Sequence, residues 1–258
     1  RSCHSDDVHV SRAGLTALKG ARHQSRAQVE LDAGGPVGDR VFCLVDPTRE
    51  RVVRTVDNPS LMQARVGWQS GELTVTLAGD TVRGRPQPAG ERRWLDYWGR
   101  RVELDLVDGP WAAAFSDHLG YEALLARSAG AGVVYGASVS LITTGSLREL
   151  SRRVGCDVAE AQLRATFTVQ TDEPHREDGW IGRRIRLGTA ELEVRGDIPR
   201  CHVIDLDPAS GIRRSAALRT LAGYRRQANG VMFGVGAVVT RPGRVQVGDP
   251  VALPHAGG

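Results

Sequence analysis

The chain of 258 residues has one lysine, two methionines, 5% aromatics and four cysteines with no C-x-x-C pair, and it lacks any long apolar run. Each scarcity excludes something. Cys3, Cys43, Cys156 and Cys201 are scattered, which argues against a structural zinc site, an iron–sulfur cluster or a disulfide framework. A reducing compartment follows, read here as cytoplasmic. No stretch approaches the roughly 20 uninterrupted apolar residues of a spanning helix, so no membrane span is expected. The opening residues RSCHSDDVHV lack the apolar core of a signal peptide. Lys19 is the sole lysine, so the other 33 of the 34 basic residues are arginine, against 30 acidic residues and a net charge of +4. The arginine-rich stretches from Arg83 to Arg93 and from Arg183 to Arg186 show no basic clusters interleaved with aromatics, so nucleic acid is not an expected partner.

What is present is a 41% hydrophobic, 25% charged composition, enough for a soluble core. Short β-branched, alternating runs separated by Gly, Pro, Asp or Asn dominate. Leu73, Val75 and Leu77 alternate with Thr74 and Thr76, as in a sheet with one wet face. Strands are also predicted at 8–19, 40–45, 101–107, 161–170, 201–206 and 232–240. Helices are predicted at 111–119 (bounded by Pro110 and Gly120), 147–154 (ended by Gly155) and 218–226. Strands without helical crossovers exclude a doubly wound fold. The fold class is mainly β (α+β): an N-terminal β-barrel-like domain over 8–128, a flexible joint at Ala129-Gly-Ala-Gly132, and a second β-barrel domain over 129–252 with a few short helices.

Familiar signatures fail. Gly130-Ala-Gly132-Val-Val-Tyr-Gly136 has one residue too many for a dinucleotide loop and opens a strand. There is no G-x-x-x-x-G-K loop, and Gly136-Ala-Ser138-Val-Ser140 lacks the second glycine of a nucleophile elbow. The cluster from Glu173 to Asp178 includes His175 and could bind a metal or shuttle protons, although such charged loops are more often simply solvated. The informative stretch is Ile198-Pro-Arg-Cys201-His202-Val-Ile-Asp-Leu-Asp207-Pro-Ala-Ser-Gly211. A cysteine flanked by Arg200 and His202 has neighbours that favour a thiolate, the form that nucleophilic chemistry or soft-metal ligation requires. A lone strand cysteine is otherwise usually core.

This stretch resembles the pterin-site signature of the MOSC domain family (molybdenum cofactor sulfurase C-terminal), especially the branch with the mitochondrial amidoxime-reducing component. The similarity continues in order through Ser138–Leu147, Leu163–Val169, Glu177–Gly182, Leu218–Arg226, Phe233-Gly-Val and Val245–Val251. Upstream, Leu18-Lys19-Gly20 and Gly38-Asp39-Arg40-Val-Phe resemble the family's N-terminal β-barrel. The resemblance implies that Cys201 is both catalytic and the ligand to molybdenum, with His202 a catalytic proton donor and His175 and Asp205 lesser candidates. It further implies that Lys19, Arg40, Thr143, Arg164 and Arg200 bind the pterin cofactor, molybdopterin, through its phosphate. Two positions depart from the pattern: Ala165-Thr166 stands where the family often has Pro-Asn, and Gly20 where a serine often follows the lysine.

On this resemblance the expected activity is that of a molybdenum-dependent oxidoreductase, a two-electron reductase of N-hydroxylated or N-oxide small molecules. With no redox motif of its own, the chain would draw electrons from an external electron-transfer protein. The alternatives are molybdenum-independent sulfur transfer or carbon–sulfur bond chemistry (a sulfurtransferase or C–S lyase) through a persulfide or thiolate at Cys201, and a module that only holds or delivers the cofactor.

Overall fold

The computed structural model describes residues 8–128, 132–134 and 136–252, and over them the chain is mainly strand. Five strands, Phe42–Asp46, Arg51–Val52, Gln87–Tyr97, Arg100–Asp108 and Leu124–Ser128, close into a barrel. Closure comes from Arg51, which pairs in parallel with Asp96. Alternation explains the inward faces: Val102, Leu104 and Leu106 are buried between half-exposed neighbours. Beside the barrel lies a meander of Arg65–Gln69, Glu72–Leu77 and Asp80–Gly84. Its Leu73, Val75 and Leu77 share a core with Leu18, Phe42 and with Trp111 and Phe115 of helix α1 (Trp111–Leu119). Helix α1 has the expected bounds, with Pro110 before it and Gly120 closing it at φ 75°.

The second half is a nine-stranded sheet. Its order is Gln24–Arg26, Val10–Leu15, Phe167–Val169, Val139–Thr143, Gly230–Arg241, Ala190–Arg200, Arg184–Leu187 and Val251–Ala252, and Arg226–Gln227 also pairs with Gly230–Arg241. Where a second barrel was expected, the described residues show this sheet with two end strands. Its core is covered by a small sheet of Gln28–Asp32, Gly35–Pro36 and Gly243–Gln246. Val29, Leu31 and Val245 of that small sheet pack in one cluster with Leu141, Phe167, Leu192 and Val235. On the other side, helices α2 (Thr144–Val154), α3 (Glu160–Leu163) and α4 (Ala217–Ala222) bury Leu150, Leu163 and Leu221 against Ile142 and Phe233.

Of the expected joint at 129–132, residues 129–131 lie outside the described residues. The halves interlock, because Val10–Leu15 pairs with Phe167–Val169 in the second sheet, so the expected domain at 8–128 lends its first strands to the other half. Two expected strands are something else. The first part of 161–170 is the single turn α3, held by Ala159 N donating to Gln162 Oε1 at 2.8 Å. The expected strand at 201–206 is a 3-10 turn, because the neighbouring strand has no residue before Gly230 to pair with it. There Asp205 turns inward and collects donors instead: Leu218 N to Oδ1 at 2.8 Å, and Arg214 N and Ser215 N to its carbonyl. Among the described residues no helix is long and apolar enough to cross a membrane.

Candidate functional site

Lys19 and Arg40 come together because the segments carrying them are clamped side by side around the Leu18–Phe42 bridge. Lys19 N donates to Phe42 O at 2.8 Å, Phe42 N to Ala17 O at 2.9 Å, and Arg40 N to Thr16 O at 2.6 Å. Thr16 N donates to Asp39 Oδ1 at 2.9 Å, and Asp39 also accepts from the Arg40 guanidinium. Arg40 stands at φ 48°, a left-handed backbone that costs an arginine energy and that surrounding structure must enforce. Gly20 has φ 92°, and a Cβ there would lie 3.1 Å from Thr55 Oγ1 and 3.2 Å from Leu61 Cδ1. A serine after the lysine would therefore be both strained and crowded, which accounts for that departure from the family pattern.

Arg164 caps the C-terminus of α3, also left-handed at φ 51°. Gln162 Nε2 donates to Ile204 O at 3.0 Å, tying this turn to the segment that follows Cys201. Arg200 ends its strand with Nε donating to Phe233 O and Nη1 to Leu163 O, both at 2.8 Å. Gly234 (φ 73°) lets the neighbouring strand pass beneath: a Cβ there would lie 2.5 Å from Leu141 O and 3.2 Å from Arg200 Nη2. Cys201 comes next, extended at φ −125°, heading the 3-10 turn with its side chain exposed.

Lys19, Arg40, Arg164, Arg200 and Cys201 all line one pocket of about 260 Å³ between the barrel and the sheet. Among the described residues lining it there are four cations and no carboxylate. Burial, then Arg40 and Arg164, push the Lys19 ammonium down to about 8, and burial is the main cause that lowers Arg164 and Arg200 to about 10. Arg164 Nη1 and Arg200 Nη2 are buried without a partner in the protein. A buried, unpaired donor on a charged group is costly. Behind Arg164, Arg12 Nη2 donates to His23 Nδ1 at 2.9 Å, and burial, Arg164, Arg12 and Arg40 hold that imidazole well below its usual range, in the neutral form. Guanidinium forks and a compact ammonium have the geometry and charge that suit the oxygens of a phosphate.

Four of the residues carried over by resemblance, Thr143, His202, His175 and Asp205, do not line this pocket. Thr143 is fully buried at the N-cap of α2, where its Oγ1 donates to Glu177 Oε2 at 2.7 Å, and Ser146 Oγ lies 2.8 Å from both Glu177 oxygens. Its hydroxyl is committed to that buried carboxylate, which is the physical reason it does not reach the pocket. His202 points outward, with a side chain 75% exposed and Nδ1 3.4 Å from Asp205 Oδ2; it neighbours Cys201 in sequence but does not line the pocket. His175 is also elsewhere, against Tyr224 and Phe233. Thr166, at the second departure, is buried and exchanges bonds with Ser140, which does line the pocket. Tyr97, Trp98 and Gln162 line the pocket without any earlier sign in the sequence. His23 likewise had none.

The fold and pocket define a class, a β protein with a cation-lined, thiol-rimmed pocket between a barrel and a sheet. Comparison places it further: residues 125–252 match the MOSC domain, and the chain carries a domain of that family. Mitochondrial amidoxime-reducing component 1 from Danio rerio is 32% identical over 45% of this chain and 36% of its own length. Molybdenum cofactor sulfurase from Oryza sativa subsp. japonica is 23% identical over 89% of this chain and 32% of its own. The chain thus spans about a third of the length of these curated relatives. A crystal structure of YUAD protein from Bacillus subtilis covers 95% of this chain and 93% of that one, with a TM-score of 0.46 and 16% identity.

Proposed function

We propose that the pocket binds a molybdenum–pterin cofactor and that the chain reduces N-hydroxylated or N-oxide compounds with electrons from a separate protein. The observation that carries this reading is the pair of buried, unpartnered nitrogens, Arg164 Nη1 and Arg200 Nη2, in a pocket rimmed by the exposed Cys201. The donor set fits the group. Lys19, Arg40, Arg164 and Arg200 would hold the phosphate, and Cys201 offers the soft sulfur that molybdenum accepts. When bound, the cofactor supplies a two-electron redox centre. The chain's own share is to orient that group, to balance its charge and to pass protons. His202, exposed and next to Cys201 in sequence, would move protons between the rim and bulk solvent. The mildly basic chain would favour an acidic electron donor.

A second reading, molybdenum-independent sulfur transfer by Cys201, draws on the same exposed thiol and on the relatives named molybdenum cofactor sulfurase. One experiment separates the two. The chain is produced in a host that makes the cofactor, molybdenum and pterin per chain are measured, and reduction of an amidoxime is followed with a chemical electron donor. Molybdenum near one per chain, with turnover lost in Cys201→Ser, is the expected result. Metal-free protein with labile sulfur on Cys201 overturns it in favour of the second reading.

A further inference from the structure

The pocket has a second wall that the cofactor reading leaves without a task. The turn joining Gln87–Tyr97 to Arg100–Asp108 brings Tyr97 and Trp98 to the pocket. Tyr97 is 1% exposed and lies between cations, with Lys19 Nζ 5.0 Å and the Arg100 guanidinium 4.9 Å from its ring centre. Arg100 also latches the turn to the segment after the barrel, donating to Gly132 O at 2.9 Å and Val134 O at 2.7 Å. Trp98 differs from Tyr97 in being 42% exposed, with Arg54 stacked 4.8 Å from its ring centre and a left-handed backbone at φ 56°. The left-handed backbone and the stacked cation fix this half-exposed ring at the pocket, where it presents a flat apolar face.

At about 260 Å³ the cavity has room for one bulky anion, and a second molecule would meet the groups at its rim. The exposed groups there are Cys201 and Trp98. Arg54 and Arg100 add positive charge on the same side, which disfavours a cationic molecule. We infer that Trp98 is the specificity-determining residue of the site, a platform on which the flat group of a neutral aromatic substrate stacks above Cys201. The inference rests on the reductase reading and names the substrate class that reading leaves open.

The test uses the cofactor-loaded full chain with Trp98→Asn, which tolerates a left-handed backbone, and Trp98→Phe, which keeps a ring. Cofactor content, thermal midpoint, kcat and KM are measured with pyridine N-oxide and with trimethylamine N-oxide. In Trp98→Asn the preference for the aromatic compound, taken as the ratio of kcat/KM values, falls about tenfold, mostly through KM, and Trp98→Phe restores most of it. In a separate arm, benzamide quenches tryptophan emission saturably in the wild type and not in Trp98→Phe, whereas acetamide quenches neither. An unchanged preference with intact cofactor, or a loss of cofactor in Trp98→Asn that marks the ring as a pterin contact, overturns the inference. If no N-oxide or N-hydroxy compound is turned over, the reductase reading fails alone. The benzamide arm then decides whether Trp98 is an aromatic platform.

Discussion

Replacing Lys19 by methionine should make the ligand-free protein more stable at neutral pH. The lysine carries its charge inside a pocket shared with three guanidinium groups, and burial with Arg40 and Arg164 lowers it from 10.5 to about 8. At about 1.36 kcal/mol per pH unit, that difference sets a ceiling of about 3 kcal/mol on the penalty of keeping the ammonium protonated when folded. Solvent at the pocket mouth and the lost cation–π contact with Tyr97 reduce the net gain in Lys19→Met to on the order of 1–2 kcal/mol. For a chain of this size that is a rise in thermal midpoint of about 2–6 °C. The sign with pH follows from proton counting. Between about pH 8 and 10.5 the unfolded chain binds the proton that the folded one has released, so wild-type stability rises through this window. The advantage of the variant is therefore full below pH 8 and gone by about pH 10.5. Inorganic phosphate, by pairing with the cations, should raise the wild-type midpoint more than that of the variant. Thermal melts of both proteins from pH 7 to 10, with and without phosphate, measure all of this. A variant no more stable than wild type at pH 7.5, or a gap that does not change with pH, would refute the reasoning.

Two further substitutions separate the roles of neighbouring residues. Gly234→Ala forces a Cβ to within 2.5 Å of Leu141 O at φ 73°, so it should cost about 2–4 kcal/mol in a denaturant titration and, by displacing Arg200, weaken phosphate binding in calorimetry. Thr143→Val removes one donor from the buried Glu177 and should cost about 1–3 kcal/mol while leaving phosphate affinity at the wild-type value; a loss of affinity without a loss of stability would return Thr143 to the cofactor site.

How far the sequence alone reaches differs from element to element, for physical reasons. The alternation from Leu73 to Leu77 and the Pro110 and Gly120 bounds of α1 are local signals, and the structure carries both unchanged. The run Cys201-His-Val-Ile-Asp-Leu206 has the apolar content of a strand, yet a strand also needs a neighbour to bond, and here the partner begins only at Gly230. Without that ladder Asp205 captures the backbone donors and folds the run into a turn, which is what leaves Cys201 exposed at the pocket. The same limit governs the site as a whole. Among 33 arginines, Arg200 is marked by its place before Cys201, whereas Arg40 and Arg164 look like the rest in composition and spacing and only resemblance singled them out. What distinguishes them physically is nonlocal: left-handed backbone at two of them, and at the third a strand that comes close enough only because Gly234 has no side chain. Thr143 shows the same limit from the other side, since resemblance assigned it to the cofactor while the structure buries its hydroxyl against Glu177. Trp98 lay in a stretch with no periodic signal, and its role depends on a turn being latched by Arg100 to carbonyls more than thirty residues away. A site made of like charges therefore becomes legible only when the packing that forces those charges together is known, because that packing creates the electrostatic cost that an anion would relieve.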